Sequence, residues 1–427
     1  MAMNWIVTWL LVGLIVWMLL AAGTRPGKIY EYPFLAGTMT FSFILPQLPG
    51  LANDPFLPPG SYQHAIIFTI LCMAMIPLGW MPNRPVMRAY QWRFDEKRLL
   101  IVAAVLSAIG AYFYRKLAEI PIDQAVYTMF TGGNVVLFFF SKLLRYGLCV
   151  ALLCFFVRPS WPALFILMVD MAFYLERIVM TGKRSETTQL VLMVAMALWF
   201  QRRWAIPHLL FLSWIIVGTV AASATHEYRE MNRLSNDHPT LSRLSEISPL
   251  EKFEQMLSKG GPEMRNAILR INSMERNMAF DFGSIHWDTL VWNYVPQQLV
   301  GPALKESLYV GMEEDQIDRS YDRPTGTSET GMTDAFASFW WFGAFKFFVI
   351  AYVMSRLYGA AMAGHTAPQM FYMLLAVPAM NSISHYTQWV LSEGVHMAAF
   401  LIPFLLYARV RTSAARPSIV AAPEKAS

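Results

Sequence analysis

Five consecutive residues, Gly182-Lys183-Arg184-Ser185-Glu186, set two cations and a carboxylate between two apolar runs. At such a boundary Arg offers paired N–H donors and Lys a point charge, which suits a phosphate or diphosphate; the plainer reading is an interfacial anchor. Arg184 is the first candidate for that anion, with Lys183, Arg276, Arg319 and Arg323 as alternatives. Glu186, His286 and Glu329 are the candidate proton acceptors, and ordinary solvation in a loop competes with that role for each. The run Glu313-Glu314-Asp315…Asp318 reads better as a solvated face than as a cation site, so neither a metal nor a cofactor is expected. The sequence has no Walker loop, H-E-x-x-H, G-x-S-x-G or D-x-D. A pre-activated substrate arriving through the membrane therefore fits better than a bound nucleotide.

Composition dictates the elements that must position these groups. Of 427 residues, 56% are hydrophobic and only 15% charged, where a soluble chain carries about a quarter. That excludes a soluble enzyme, a disordered protein and a nucleic-acid binder, and makes the lipid bilayer the first partner. A helix crossing the hydrocarbon takes about 20 apolar residues. Eleven stretches meet or approach that length: 4–23, 32–51, 64–81, 99–114, 135–157, 161–180, 185–200, 204–224, 334–358, 367–386 and 388–410. The expected fold is an all-α polytopic membrane protein with spans one to eight in 1–224, a large loop over 225–333, spans nine to eleven in 334–410, and a disordered tail over 411–427. The second stretch, with Pro33, Pro46 and Pro49, and the fifth, with Lys142 and Arg145, fit least well.

Charge orients the bundle. Fifteen Lys and Arg fall in alternate links and four in the intervening short ones, and short cytoplasmic loops carry such an excess. The N-terminus and the large loop are thus expected outside and the C-terminus and its tail in the cytoplasm. The first stretch has its positive charge on the trailing side, the reverse of a cleaved signal peptide. No internal repeat is visible, which argues against a transporter built from inverted repeats.

The large loop is acidic: from Thr225 to Asp334 there are 11 basic and 18 acidic residues. Ser248-Pro249-Leu250-Glu251 reads as a capping box, and Gly260-Gly261 stops that helix. A second helix is expected from Pro262 to about Asp281, with Met264, Ile268, Ile271, Met274 and Met278 on one stripe and Arg265, Arg270 and Arg276 at its borders. Aromatic and polar residues interleave from Ile285 to Tyr294, a composition that suits either sugar contact or a membrane interface. The stretch from Arg319 to Asp334 is a candidate anion loop leading into the ninth span. Within the spans, Lys142, Arg145, Asp170, Glu176, Arg177, Lys346, Glu393, His385 and His396 are functional candidates by default, or partners of one another, as Asp170 with Lys142.

Gly182-Lys183-Arg184-Ser185 entering an apolar span, Val295-Pro296…Gly301-Pro302-Ala303-Leu304-Lys305 in the long loop, and Gly326-Thr327-Ser328-Glu329-Thr330-Gly331 before Phe339-Trp340-Trp341-Phe342-Gly343 together resemble the O-antigen polymerase (Wzy-type) family. The resemblance covers roughly 132–361; the R-x10-G pattern of some members is absent, so it assigns no arginine roles. It implies a metal-independent glycosyltransferase of GT-C-like architecture in the bacterial inner membrane. Its substrate would be an undecaprenyl-diphosphate-linked oligosaccharide, polymerised at the periplasmic face for O-antigen, capsule or exopolysaccharide, with a chain-length regulator and a flippase as possible partners. The alternatives are an O-antigen ligase and a lipid-linked oligosaccharide flippase or polysaccharide transporter.

Overall fold

The computed structural model describes residues 2–22, 25–85, 91–119, 133–181, 184–207, 213, 217–220, 248–295, 297–310 and 329–410. Its helices are α1 Ala2–Ala22, α2 Tyr32–Ala52, α3 Ser61–Gly79, α4 Glu96–Ala118, α5 Val136–Val157, α6 Trp161–Thr181 and α7 Arg184–Arg202. Next come α8 Pro249–Lys259, α9 Pro262–Asn277, α10 Ser284–Tyr294, α11 Gly331–Met362, α12 Thr366–Ser384 and α13 Gln388–Ala408. Among the described residues there is no strand; an isolated bridge joins Phe94 to Arg409.

Seven of these helices, α1 to α5, α11 and α13, are long and apolar enough to cross a membrane. The chain is thus an all-helical polytopic membrane protein. Three further helices have a similar length but carry more charged or polar residues. Asp170, Glu176 and Arg177 lie on α6, and Arg184, Glu186 and Arg202 on α7. All of α12 but Thr366, Phe371 and Asn381 is buried, so it meets protein rather than lipid and tolerates Gln369 and Ser382. Conversely Trp9, Leu20, Phe165 and Met168 are exposed apolar side chains, as a lipid-facing surface requires. Ten of the eleven expected stretches are helical along most of their length; the eighth lies largely outside the described residues.

The prolines of α2 bend the helix without ending it. A π turn over Thr40–Ile44 and a 3-10 turn over Leu45–Gln47 precede Leu48–Ala52, which absorbs the amides that Pro46 and Pro49 lack. Close packing uses small residues: a Cβ on Gly147 would stand 2.1 Å from Ser107 Oγ. Ser107 in turn donates to Asp170 Oδ2 at 2.7 Å, so Asp170 is held by a hydroxyl of α4 and not by Lys142 as expected.

Successive helix ends gather at alternate faces. At one, the Asp95 amide donates to the Ala408 carbonyl, Arg158 pairs with Glu96 at 3.4 Å, and Arg203 donates to the Met362 carbonyl. At the other, Asn4 donates to the Ala52 carbonyl, Arg115 pairs with Glu176, and the Thr387 amide donates to Asp334. The 248–310 segment packs on this second face. On α9, Met264, Ile268, Ile271 and Met274 are buried as one stripe against the bundle. The helix ends sooner than expected, because Met278 adopts a left-handed φ of 49°, which turns its side chain out to solvent. Ser248 precedes α8, but its side chain makes no capping hydrogen bond.

Candidate functional site

A cavity of about 770 Å³ lies where α5, α6, α7, α12 and α13 meet beneath α10. That volume is in the range of sites for organic ligands. Helical spacing positions its floor. Lys142 and Arg145 stand three residues apart on one face of α5, as do Tyr174 and Arg177 on α6 and Glu186 and Gln189 on α7. From α13 come Trp389, Ser392 and Glu393, and from the end of α12 come Asn381 and His385. Asp288, Thr289, Trp292 and Asn293 of α10, with Tyr309, form the roof. At about 1.5 Å per residue, Arg145 and Glu393 lie one to three turns inside their helix ends, so the floor is within the bundle.

The floor is cationic. Arg145 Nη2 is 2.5 Å from Glu393 Oε1, and Arg177 Nη2 is 2.6 Å from Glu186 Oε1. Each carboxylate aims and partly neutralises one guanidinium, and the Arg145 Nε is buried with no hydrogen-bond partner. Lys142 has no carboxylate partner among the described residues; its ammonium lies 5.3 Å from the Phe138 ring centroid. Three cations against two carboxylates leave the floor itself one positive charge in surplus, which Asp288 in the roof balances across the cavity. An entering anion finds Lys142 uncommitted and can exchange with a carboxylate on either arginine, without assembling new donors. In the roof, Trp292 is half-exposed, and Asp288 accepts from the Val310 amide at 2.9 Å.

A second charged cluster meets α10 on an adjoining face, at His286. Lys346 of α11 donates to Ser338 Oγ at 2.6 Å, sits 3.1 Å from His286 Nε2, and is 3.8 Å from Asp334 Oδ1. Asp334 Oδ2 accepts from both the amide and the hydroxyl of Thr387. Burial, reinforced by the Lys346 cation, pushes the His286 imidazole below its usual range, with Asp334 and Asp281 opposing. The charges here lie against one another, although the His286 Nδ1 and the Asp281 Oδ2 are buried without a hydrogen-bond partner.

Of the residues proposed from sequence, Glu186 lines the cavity. Arg184 begins α7 two residues before it. Lys183, Arg319 and Arg323 lie outside the described residues, as does the acidic run at 313–318. His286 faces the Lys346 cluster. Glu329 pairs with Arg270 at 3.2 Å, and Arg276 is exposed near the end of α9; neither lines the cavity. Arg265 pairs with Asp54 at 2.6 Å, so the border of the α9 stripe docks this segment onto the bundle. The expected anion-binding helix start at Gly331 is taken up by packing: a Cβ there would stand 1.6 Å from the Ser382 carbonyl oxygen, and Thr330 caps the Thr333 amide. Among the described residues no three His, Cys, Asp or Glu side chains gather as a metal site. What the sequence-derived choice passed over is the set Lys142, Arg145, Arg177 and Glu393. Its signal was present as ionisable residues within apolar spans, two of them three residues apart.

No family model, no curated protein and no solved structure matches this chain.

Proposed function

We propose that the chain is an oligosaccharide repeat-unit polymerase of the O-antigen polymerase (Wzy-type) kind, a metal-independent glycosyltransferase acting at the periplasmic face of the bacterial inner membrane. The observation that carries this reading is the cavity: Lys142, Arg145 and Arg177 converge on one floor, within the bundle, under a roof of aromatic and amide side chains. In this reading the diphosphate of an undecaprenyl-linked glycan takes the arginines from Glu393 and Glu186 and adds Lys142. Its sugars lie against Trp292, Trp389 and Asn293, whose rings and amide suit sugar faces and hydroxyls. The hydroxyl of a second lipid-linked repeat unit attacks the anomeric carbon, the C–O bond to the diphosphate breaks, and its electron pair goes to the leaving oxygen. Fixed cations stabilise the charge that develops there. The polymerase reading, with a GT-C-like architecture, rests on the motif resemblance together with this site.

The test uses full-length protein in nanodiscs, with lipid-linked oligosaccharide isolated from the source bacterium lacking this protein, in EDTA and without nucleotide sugar. Longer lipid-linked chains support the reading; transfer only to a lipid A core acceptor identifies a ligase, and no product with either acceptor overturns it.

A further inference from the structure

Glu393 stands at the cavity floor, 5% exposed, with Arg145 Nη2 at 2.5 Å and the Tyr146 hydroxyl at 2.8 Å, both on Oε1. Behind it, away from the cavity, the Tyr146 hydroxyl is 2.6 Å from His396 Nδ1, and His396 Nε2 is 3.1 Å from the Phe139 carbonyl oxygen. Glu393 and His396 stand three residues apart on one helix, and Arg145 and Tyr146 are adjacent on another, so two spans form a single row. His396 is fully buried and closed off by the rings of Phe139 and Phe400.

Counting hydrogens along this row limits what it can be. A carbonyl only accepts, so His396 Nε2 carries a proton. Tyr146 has one hydrogen and two close neighbours. If it donates to Glu393, the bond to His396 needs a proton on Nδ1; if it donates to His396, the bond to Glu393 needs a proton on the carboxyl. With both bonds made, the row holds one proton more than a carboxylate, a phenol and a neutral imidazole would. That proton has two seats, Glu393 at the cavity and His396 behind it. Moving between them shifts two hydrogens across bonds of 2.6 and 2.8 Å.

We propose that Glu393 is the catalytic base of the transfer, and that Tyr146 and His396 are positioning residues that carry its proton away from the cavity. The proposal rests on the polymerase reading of the same site. The row accepts a proton from the state one proton poorer, in which Glu393 is a carboxylate, His396 a neutral imidazole protonated on Nε2, and Tyr146 donates to only one of the two. A diphosphate that engages Arg145 frees Glu393 from its ion pair as substrate binds. As the acceptor oxygen bonds to the anomeric carbon, its proton passes to Glu393. Tyr146 then receives that proton while giving its own to His396 Nδ1, and Glu393 is a carboxylate again. The C–O bond to the diphosphate has broken with its electron pair on the leaving oxygen. The stored proton returns along the row to the departing diphosphate, which has gained a negative charge. The charged and titratable groups around Glu393 and the cavity it faces are Lys142, Arg145 and Tyr146 of α5, Tyr174 and Arg177 of α6, Glu186 of α7, Asp288 and Tyr294 of α10, His385 and Tyr386 between α12 and α13, Tyr309, and His396 of its own helix.

The experiment compares wild type, Glu393→Gln and Tyr146→Phe as full-length protein in nanodiscs. It measures chain extension against pH, and binding of undecaprenyl diphosphate itself. Glu393→Gln should bind undecaprenyl diphosphate at least as well as wild type, since a competitor for Arg145 is gone, while extension falls about 10²–10⁴-fold, as for loss of a general base. Tyr146→Phe keeps the ion pair and loses the relay, so the acid limb of its pH–rate profile should move. Extension by Glu393→Gln at the wild-type rate overturns the proposal, as does a Tyr146→Phe profile lowered equally at every pH. Should Glu393→Gln fail to fold because Arg145 loses its carboxylate, Tyr146→Phe decides alone. A wild type that neither extends chains nor binds undecaprenyl diphosphate overturns the polymerase reading, and the base assignment falls with it.

Discussion

Two clusters of charge meet α10, and they differ in what their donors face. Around Lys346 the groups pack against one another: Ser338, His286 and Asp334 surround the ammonium, and Thr387 ties Asp334 to the start of α13. Around Lys142 a cavity intervenes, a cation lacks a carboxylate, and the Arg145 Nε lacks an acceptor. Both hold ionisable groups within apolar spans, so location alone does not separate a structural tie from a binding site. The separation comes from a cation without a carboxylate beside open volume, since a buried unpartnered nitrogen, Arg145 Nε in one and His286 Nδ1 in the other, occurs in both. Buried charge packed against its partners joins elements; a buried cation without a carboxylate at the floor of a cavity is positioned for a ligand.

Substitutions can break that contrast. The largest effect on folding is expected at Lys346→Met: it leaves Asp334 buried without its cation and should cost about 3–5 kcal/mol, read as a lowered melting temperature in detergent. The protein that remains folded should extend chains at close to the wild-type rate. Lys142→Met should do the reverse. It strands no carboxylate, so melting should be unchanged or raised, while extension should fall about 10²–10³-fold as one transition-state donor is lost. A result in which both variants lose stability and neither loses turnover would erase the distinction.

Smaller effects sharpen it. Trp292→Ala in the roof should weaken substrate binding by about 0.5–1.5 kcal/mol, seen as a raised KM with kcat little altered. The His286 imidazole is held below its unfolded pKa of about 6.5, so the unfolded chain binds more protons just below that pH. Its contribution is therefore complete above about pH 6.5 and declines as pH falls through the window beneath. The melting temperature should drop on acidification there, and His286→Gln should remove that part of the dependence. Least of all, Arg276→Ala at an exposed position should change stability by less than about 0.5 kcal/mol and leave turnover intact.

Much of the fold was legible because the apolar period and length of a span are local properties. The ten helices that match the expected stretches arise from them, and the proline-rich second stretch survives because π and 3-10 turns take up its missing amides. The burial of Met264, Ile268, Ile271 and Met274 was legible from spacing; the turn at Met278 was not, since a left-handed residue there depends on the path the chain takes toward α10. The site was legible only as a roster. Sequence exposes Lys142, Arg145, Arg177 and Glu393 as unusual, yet which of them meet depends on how α5, α6, α7 and α13 pack. Choosing loop groups such as His286, Glu329 and Arg276 favoured residues whose partners, Lys346 and Arg270 for the first two, come from distant segments. Glu186 was found because it stands at the beginning of the expected seventh stretch, where loop and bundle reasoning coincide.

The most direct measurement of the central claim is a cryo-EM structure of the full chain in nanodiscs with undecaprenyl diphosphate bound. The account predicts the diphosphate on the cavity floor, within hydrogen-bond distance of Lys142, Arg145 and Arg177, with Glu393 parted from Arg145. A diphosphate resolved elsewhere on the protein, with the Arg145–Glu393 pair intact and the cavity holding no headgroup, would contradict it.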